Sequence, residues 1–115
     1  MTFNRGDVVL VLFPDSNLRT AKRRPALVVQ ADNLQTGLAQ TIVAMIRGNM
    51  ARAGHACRVT IRQSSPEGRQ MGLHSDSVIM ADNLATVLDA EIDRTIGQCP
   101  NMPAVDAALR TTLGM

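Results

Sequence analysis

The chain has 115 residues, 45% of them apolar, and a formal net charge of +2. That length predicts one domain, residues 1–115, with a small core. The sequence holds no apolar run of about 18 residues and no charged leader before an apolar stretch, which argues against a membrane span or a signal peptide. Cys57 and Cys99 lack the spacing of a zinc site or a disulfide framework, so the expectation is a soluble protein of the reducing cytoplasm.

Charge is unevenly spread. Residues 1–72 carry ten Lys/Arg against four Asp/Glu, and residues 73–115 carry two Arg against six Asp/Glu. A basic front portion suits an anionic partner such as nucleic acid. Ordinary solvated surface produces the same imbalance, so charge alone decides nothing.

In chain order, Gly6 to Phe13 reads as a strand that stops at the turn-forming Pro14-Asp15-Ser16-Asn17. Residues 14–24 read as a basic loop, long for a small β protein. Lys22-Arg23-Arg24 then meets Pro25 and the apolar run Leu27-Val28-Val29. A second strand is expected over 24–31, with proline at its start where a missing N–H costs least. Arg24 is thus expected at the junction of a mobile loop and a core strand. Residues 31–37 read as a turn and Gln40 to Ile46 as a third strand. Cys57 to Arg62 alternates apolar and polar residues, which predicts a half-exposed strand with Arg58 and Arg62 on its wet face. Residues 64–68 read as a loop, Ser77 to Ala81 as a strand, and Leu84 to Leu88 either continues it or turns back. Residues 89–94 suggest a short helix with acids in its first turn, and 95–100 a connection. Asn101 caps a final helix from Met102 to Leu113, with Gly114 beyond its end. The fold class is mainly β: a small bent sheet or barrel closed by a C-terminal helix.

Four segments, Arg5-Gly6-Asp7-Val8-Val9-Leu10-Val11, Arg24-Pro25-Ala26-Leu27-Val28-Val29, Ser77-Val78-Ile79-Met80-Ala81-Asp82 and Arg94-Thr95-Ile96-Gly97, together resemble the MazF/PemK family, toxins of type II toxin–antitoxin pairs. The resemblance runs from about Asn4 to Leu113. It implies an SH3-like barrel that forms a homodimer. It also implies an endoribonuclease that needs no metal or other cofactor and cuts single-stranded RNA at short sequences. The implied partner is a cognate antitoxin whose tail lies over the RNA groove. In the family the arginine before this proline is catalytic, which corresponds to Arg24. The place of a threonine or serine ending the third strand falls to Arg47. Asp82 matches an aspartate that serves some PemK-type members as general base, with Met80 where they carry an arginine.

Metal-free RNA cleavage needs a base for the 2′-OH, a cation for the phosphorane and an acid for the leaving 5′-oxygen. Arg24 suits the cation, because a guanidinium matches phosphate oxygens in bidentate fashion. Asp82 suits the base if burial raises its pKa, a shift that a nearby Arg47 would oppose; as a bare sequence feature it is equally a turn former. His55 and His74 lie outside the resembling segments. With no Tyr or Trp in the chain, RNA contacts are expected from Arg19, Lys22, Arg23, Asn49, Arg52 and Asn83, and binding is expected to depend strongly on salt. Arg47 leaves two readings open: an active nuclease in which it takes an electrostatic role, or an impaired module that binds RNA or antitoxin without turnover. A gyrase-directed poison of the CcdB type ranks below both, because the C-terminal Leu113-Gly114-Met115 offers no aromatic anchor.

Overall fold

In the computed structural model, residues 3–14, 17, 19–32, 34 and 36–115 are described. Six strands form one antiparallel sheet: β1 (Asp7–Pro14), β2 (Ala21–Val28), β3 (Gln40–Arg47), β4 (Arg58–Ile61), β5 (Ser77–Leu88) and β6 (Ile92–Gln98). Their order across the sheet is β4-β5-β3-β2-β1-β6. Two helices accompany them, α1 (Pro66–Gln70) and α2 (Met102–Leu113), with a single 3₁₀ turn at Asp89–Glu91. The mainly-β class and the closing C-terminal helix are as expected.

Both faces of the sheet are buried, which is why its central strands read as near-continuous apolar runs. One cluster gathers Val8, Leu27, Ala44, Ile46, Ile79, Met71 and Val105 beneath the helices. The other gathers Val9, Val11, Ala26, Val28, Val43, Val87 and Ile92 on the opposite face. Alternate residues of β1 to β3 therefore serve different clusters.

Several sequence expectations are corrected. β2 begins at Ala21, not Arg24, because Lys22, Arg23 and Arg24 pair with Phe13, Leu12 and Val11 of β1. Cross-strand hydrogen bonding outweighs the polar composition that suggested a loop. Arg24 is therefore inside a strand, not at its mouth. Pro25 sits opposite Leu10, and pairing of β2 with β3 starts only at the next residue, Ala26. A proline is tolerated at that position because β3 does not yet pair with the strand there. Residues 66–70 form a helix capped by the Ser65 hydroxyl, which accepts from Gly68 N at 3.0 Å. Residues 92–98, expected as helix end and connection, are a full edge strand on β1.

β5 spans both runs that the sequence separated, but with a break. Met45 pairs with Met80 while its neighbour Ala44 pairs with Leu84. Ala81, Asp82 and Asn83 are thereby left out of the β3 ladder, a bulge at mid-strand. α2 is closed as expected, with Asn101 accepting from Ala104 N and Gly114 left-handed at φ 71°.

Candidate functional site

On the face that carries the second cluster, strand alternation aligns Arg24 of β2 with Ala26, and Arg47 of β3 with Met45. Ala26 and Met45 are register partners. Continued past them, the two strands carry Arg24 and Arg47 on the same side where the β2–β3 ladder has ended. Beyond Arg47 the chain folds back, and a cleft of about 340 Å³ opens, lined by Arg47, Asn49, Ala51, Arg52, Arg58, Met80 and Asn83.

The cleft brings Asn83 together with Arg47, Asn49 and Arg52, which lie some thirty residues earlier in the sequence. Asn49 and Arg52 come from the β3–β4 connection, where Asn49 Oδ1 accepts from Ala51 N at 3.0 Å in a local turn. Asn83 comes from the β5 bulge. Arg24 is half-buried on the same side of the sheet but does not line this cleft. Arg19 and Lys22 are exposed along the β1–β2 hairpin, where Asn17 Oδ1 accepts from Arg19 N at 2.9 Å. Arg23 alternates to the other face and pairs with Asp93 at 3.3 Å. That places it on the side of the sheet away from Arg24, with its side chain still exposed.

Two residues that sequence reasoning assigned elsewhere belong to the cleft. Met80 stands where some relatives are expected to carry an arginine, and Arg58 is expected only as a wet-face arginine. Arg58 is register partner to Met80, and its side chain is only 11% exposed. Its Nη2 donates to Asp82 Oδ2 at 2.9 Å, and its Nε lies 2.7 Å from Asp82 Oδ1. The Nε–H is buried and not aimed at any acceptor, so that second contact is ionic rather than a directed hydrogen bond. Arg62, by contrast, is exposed and pairs with Asp76 at 3.2 Å.

The Arg58 pairing decides the chemistry of Asp82. The hydrogen bond from Arg58 holds the Asp82 carboxyl below the ordinary carboxylate range, and the same bond raises the Arg58 guanidinium. A general base at neutral pH needs the opposite shift. The perturbing charge is Arg58, not Arg47 as the sequence suggested. Nearby, Cys57 Sγ lies 3.1 Å from His55 Nδ1. Cys99 is buried, and burial pushes its thiol up, away from reactivity. Among the described residues, no three His, Cys, Asp or Glu side chains gather as a metal site. Nor is any described helix long and apolar enough to cross a membrane.

Comparison with known proteins agrees with this architecture. The chain is 30% identical over 119 residues to Endoribonuclease MazF6 of Mycobacterium tuberculosis, with all of both chains covered. Among solved structures, the M. tuberculosis toxin MazF-mt6 superposes with a TM-score of 0.72 at 22% identity, covering 95% of this chain and 97% of that one. A MazE–MazF structure from Deinococcus radiodurans superposes with a TM-score of 0.76 at 19% identity, covering 100% and 99%. The family described as PemK-like, MazF-like toxin of type II toxin–antitoxin systems matches residues 4–113, nearly the whole sequence, and the chain belongs to it.

Proposed function

We propose that this chain is the toxin of a type II toxin–antitoxin pair and an endoribonuclease that cuts single-stranded RNA without a metal, through attack of the 2′-OH on the adjacent phosphodiester. The observation that carries the reading is the gathering of Arg47, Arg52 and Arg58 with Asn49 and Asn83 in one cleft, beside Arg24 on the same face. Guanidinium groups fix phosphates in place, and carboxamides meet base edges. In this reading Arg24 stabilises the phosphorane. Arg47 supplies the electrostatic role that a hydroxyl residue fills in relatives, and Asp82 positions Arg58 rather than taking a proton. Arg19, Lys22 and Arg52 steer the strand.

The proposed partners follow the same logic. Leu38, Leu84 and Leu88 are 63%, 36% and 55% exposed, and they lie on neighbouring stretches because Gln40 pairs with Leu88 and Ala44 with Leu84. Such a patch suits a second copy of the chain. A relative from a mycobacterial species was solved in complex with its cognate antitoxin, and an acidic antitoxin segment would complement the basic cleft here. The protein then works as a soluble homodimer in the cytoplasm, held silent by its antitoxin.

The test is incubation of purified protein with a long RNA in EDTA, followed by mapping of both ends. Cleavage with 2′,3′-cyclic phosphate and 5′-hydroxyl ends is expected, and Arg24→Ala should lose about 10²–10³-fold in rate while keeping its circular dichroism. Full activity of Arg24→Ala would overturn the assignment of that residue. If the parent is silent and Arg47→Thr cuts, the chain is the impaired binding module instead.

A further inference from the structure

We propose, resting on the RNA reading above, that the cleft takes a single nucleotide. Arg58 reads its base and favours guanine or uracil over adenine and cytosine, while Arg47 and Arg52 hold phosphate. The division of labour comes from charge. Arg58 is held side-on by Asp82 through Nε and Nη2, so the pair is neutral as a unit. A phosphate brought to it would meet the Asp82 carboxylate at close range. Arg47 and Arg52 are exposed and have no carboxylate partner among the described residues. Their charge is uncommitted, as phosphate binding requires.

What Arg58 retains is a set of donors in a fixed orientation. Nη1 and the outer N–H of Nη2 remain, while Nε is buried against Asp82. A donor array aligned by a carboxylate suits a group with acceptors only. Guanine offers O6 and N7, and uracil offers O4. On that same edge, the one a base turns to the major groove in a duplex and the one assigned here to Arg58, adenine and cytosine place an amino group, so donor would face donor. Asn49 and Asn83 each carry one acceptor and one donor function and do not reverse this preference. Met80, the register partner of Arg58, and Ala51 provide the apolar wall for a base face. The cleft volume of about 340 Å³ lies at the low end of small-ligand sites, roughly 300–1,000 Å³, and suits one such unit.

The test titrates the full chain with the four 5′-nucleoside monophosphates, which share one phosphate chemistry, and follows the side-chain amide resonances of Asn49 and Asn83. GMP and UMP are expected to bind at least about five-fold more tightly than AMP and CMP. Equal affinity, or no shift with any of them, overturns the proposal. In parallel, single-stranded RNA hexamers varied one position at a time are bound over a salt series. The double variant Arg58→Gln/Asp82→Asn removes both charges together, which avoids stranding one in the corner. It should abolish the base preference and leave the salt slope unchanged. Arg52→Gln should lower that slope by about 0.7 and keep the preference. The reverse pattern would make Arg58 a phosphate ligand and refute the assignment. If the parent neither binds nor cuts RNA, the nuclease reading falls, and the monophosphate titration still decides the cleft's base preference by itself.

Discussion

Gly97 is a position where a single methyl group should be costly although the backbone angles themselves allow one. It lies in β6, where the strand passes against the end of α1. A Cβ placed there would sit 2.5 Å from the carbonyl oxygen of Met71 and closer still to that of Gln70. Both obstacles are backbone, so no side-chain rotation relieves them. Gly72 mirrors the constraint, with φ +73° and its own absent Cβ aimed at the Ile96 carbonyl. Overpacking of this kind costs about 1–3 kcal/mol, occasionally more, against a gain of about 0.4–1 kcal/mol from a stiffer unfolded chain. With backbone on every side the upper end applies, and Gly97→Ala should be destabilised by about 2 kcal/mol net. In urea the midpoint should fall by about 1 M with the slope unchanged, and Tm by roughly 8–12 °C. Gly54→Ala is the control, because nothing lies within 4 Å of its Cβ position; it should stay within about 0.5 kcal/mol of the parent. If Gly97→Ala matches that control, the close approach of α1 to β6 is wrong. The folded fraction of Gly97→Ala should still bind RNA, since Gly97 is remote in role from the cleft.

Asp82 and Asp76 both have depressed carboxyl pKa values, the first through Arg58 and the second through the Gln63 backbone N–H and then Arg62. A depressed folded-state pKa adds stability that is fully present above the unfolded value of about 3.9 and lost as pH falls through the folded one. Thermal melts from pH 6 to pH 2.5 should therefore fall below about pH 4, and the fall should be shallower in Arg58→Gln/Asp82→Asn. An equal slope in parent and variant would deny the pairing. Arg5 donates from Nε to the Val29 carbonyl at 3.0 Å and from Nη2 to Asp106, tying the first residues to the end of β2 and to α2. Arg5→Ala should cost about 1–2 kcal/mol by chemical denaturation, partial exposure moderating the loss. If Arg19, Lys22, Arg24, Arg47 and Arg52 all meet phosphate, the log–log salt slope of RNA binding should approach about −3.5. A slope near zero would deny the cationic track.

The elements that sequence made legible are those with their own hydrophobic signature. β1, β3 and the start of β5 are apolar runs bounded by turn residues, and α2 carries its cap, its apolar stripe and its terminal glycine in plain view. β6 is different. Asp93, Arg94 and Thr95 are exposed, so no period marks it; it is a strand only because β1 offers a free edge. The early start of β2 was hidden for the same reason, by three cations that pair through their backbone. At the cleft, the residue types were readable but their meeting was not. Arg47, Asn49 and Arg52 are near neighbours in sequence, whereas Asn83 joins them only through the β3–β5 register. Arg58 was missed because alternation gives the side of the strand, not what stands over it. Its link to Asp82 exists because β4 pairs with β5 so that Arg58 meets Met80.

The bulge at Ala81, Asp82 and Asn83 has an odd number of residues, and that parity governs which way the rest of the strand looks. Met80 lies on the Met45 side of the sheet and Leu84 on the Ala44 side, although four positions apart on an unbroken strand they would point the same way. The interruption thus acts as an inverter: before it Met80 faces the mouth of the cleft, and after it Val87 is turned into the wall and Leu84 and Leu88 outward. Shortening the insert by one residue would reverse that assignment at a stroke, sending two leucines inward and Val87 to water. Length at this spot is consequently held more tightly than identity, and the nearest tolerated deletion removes two residues rather than one.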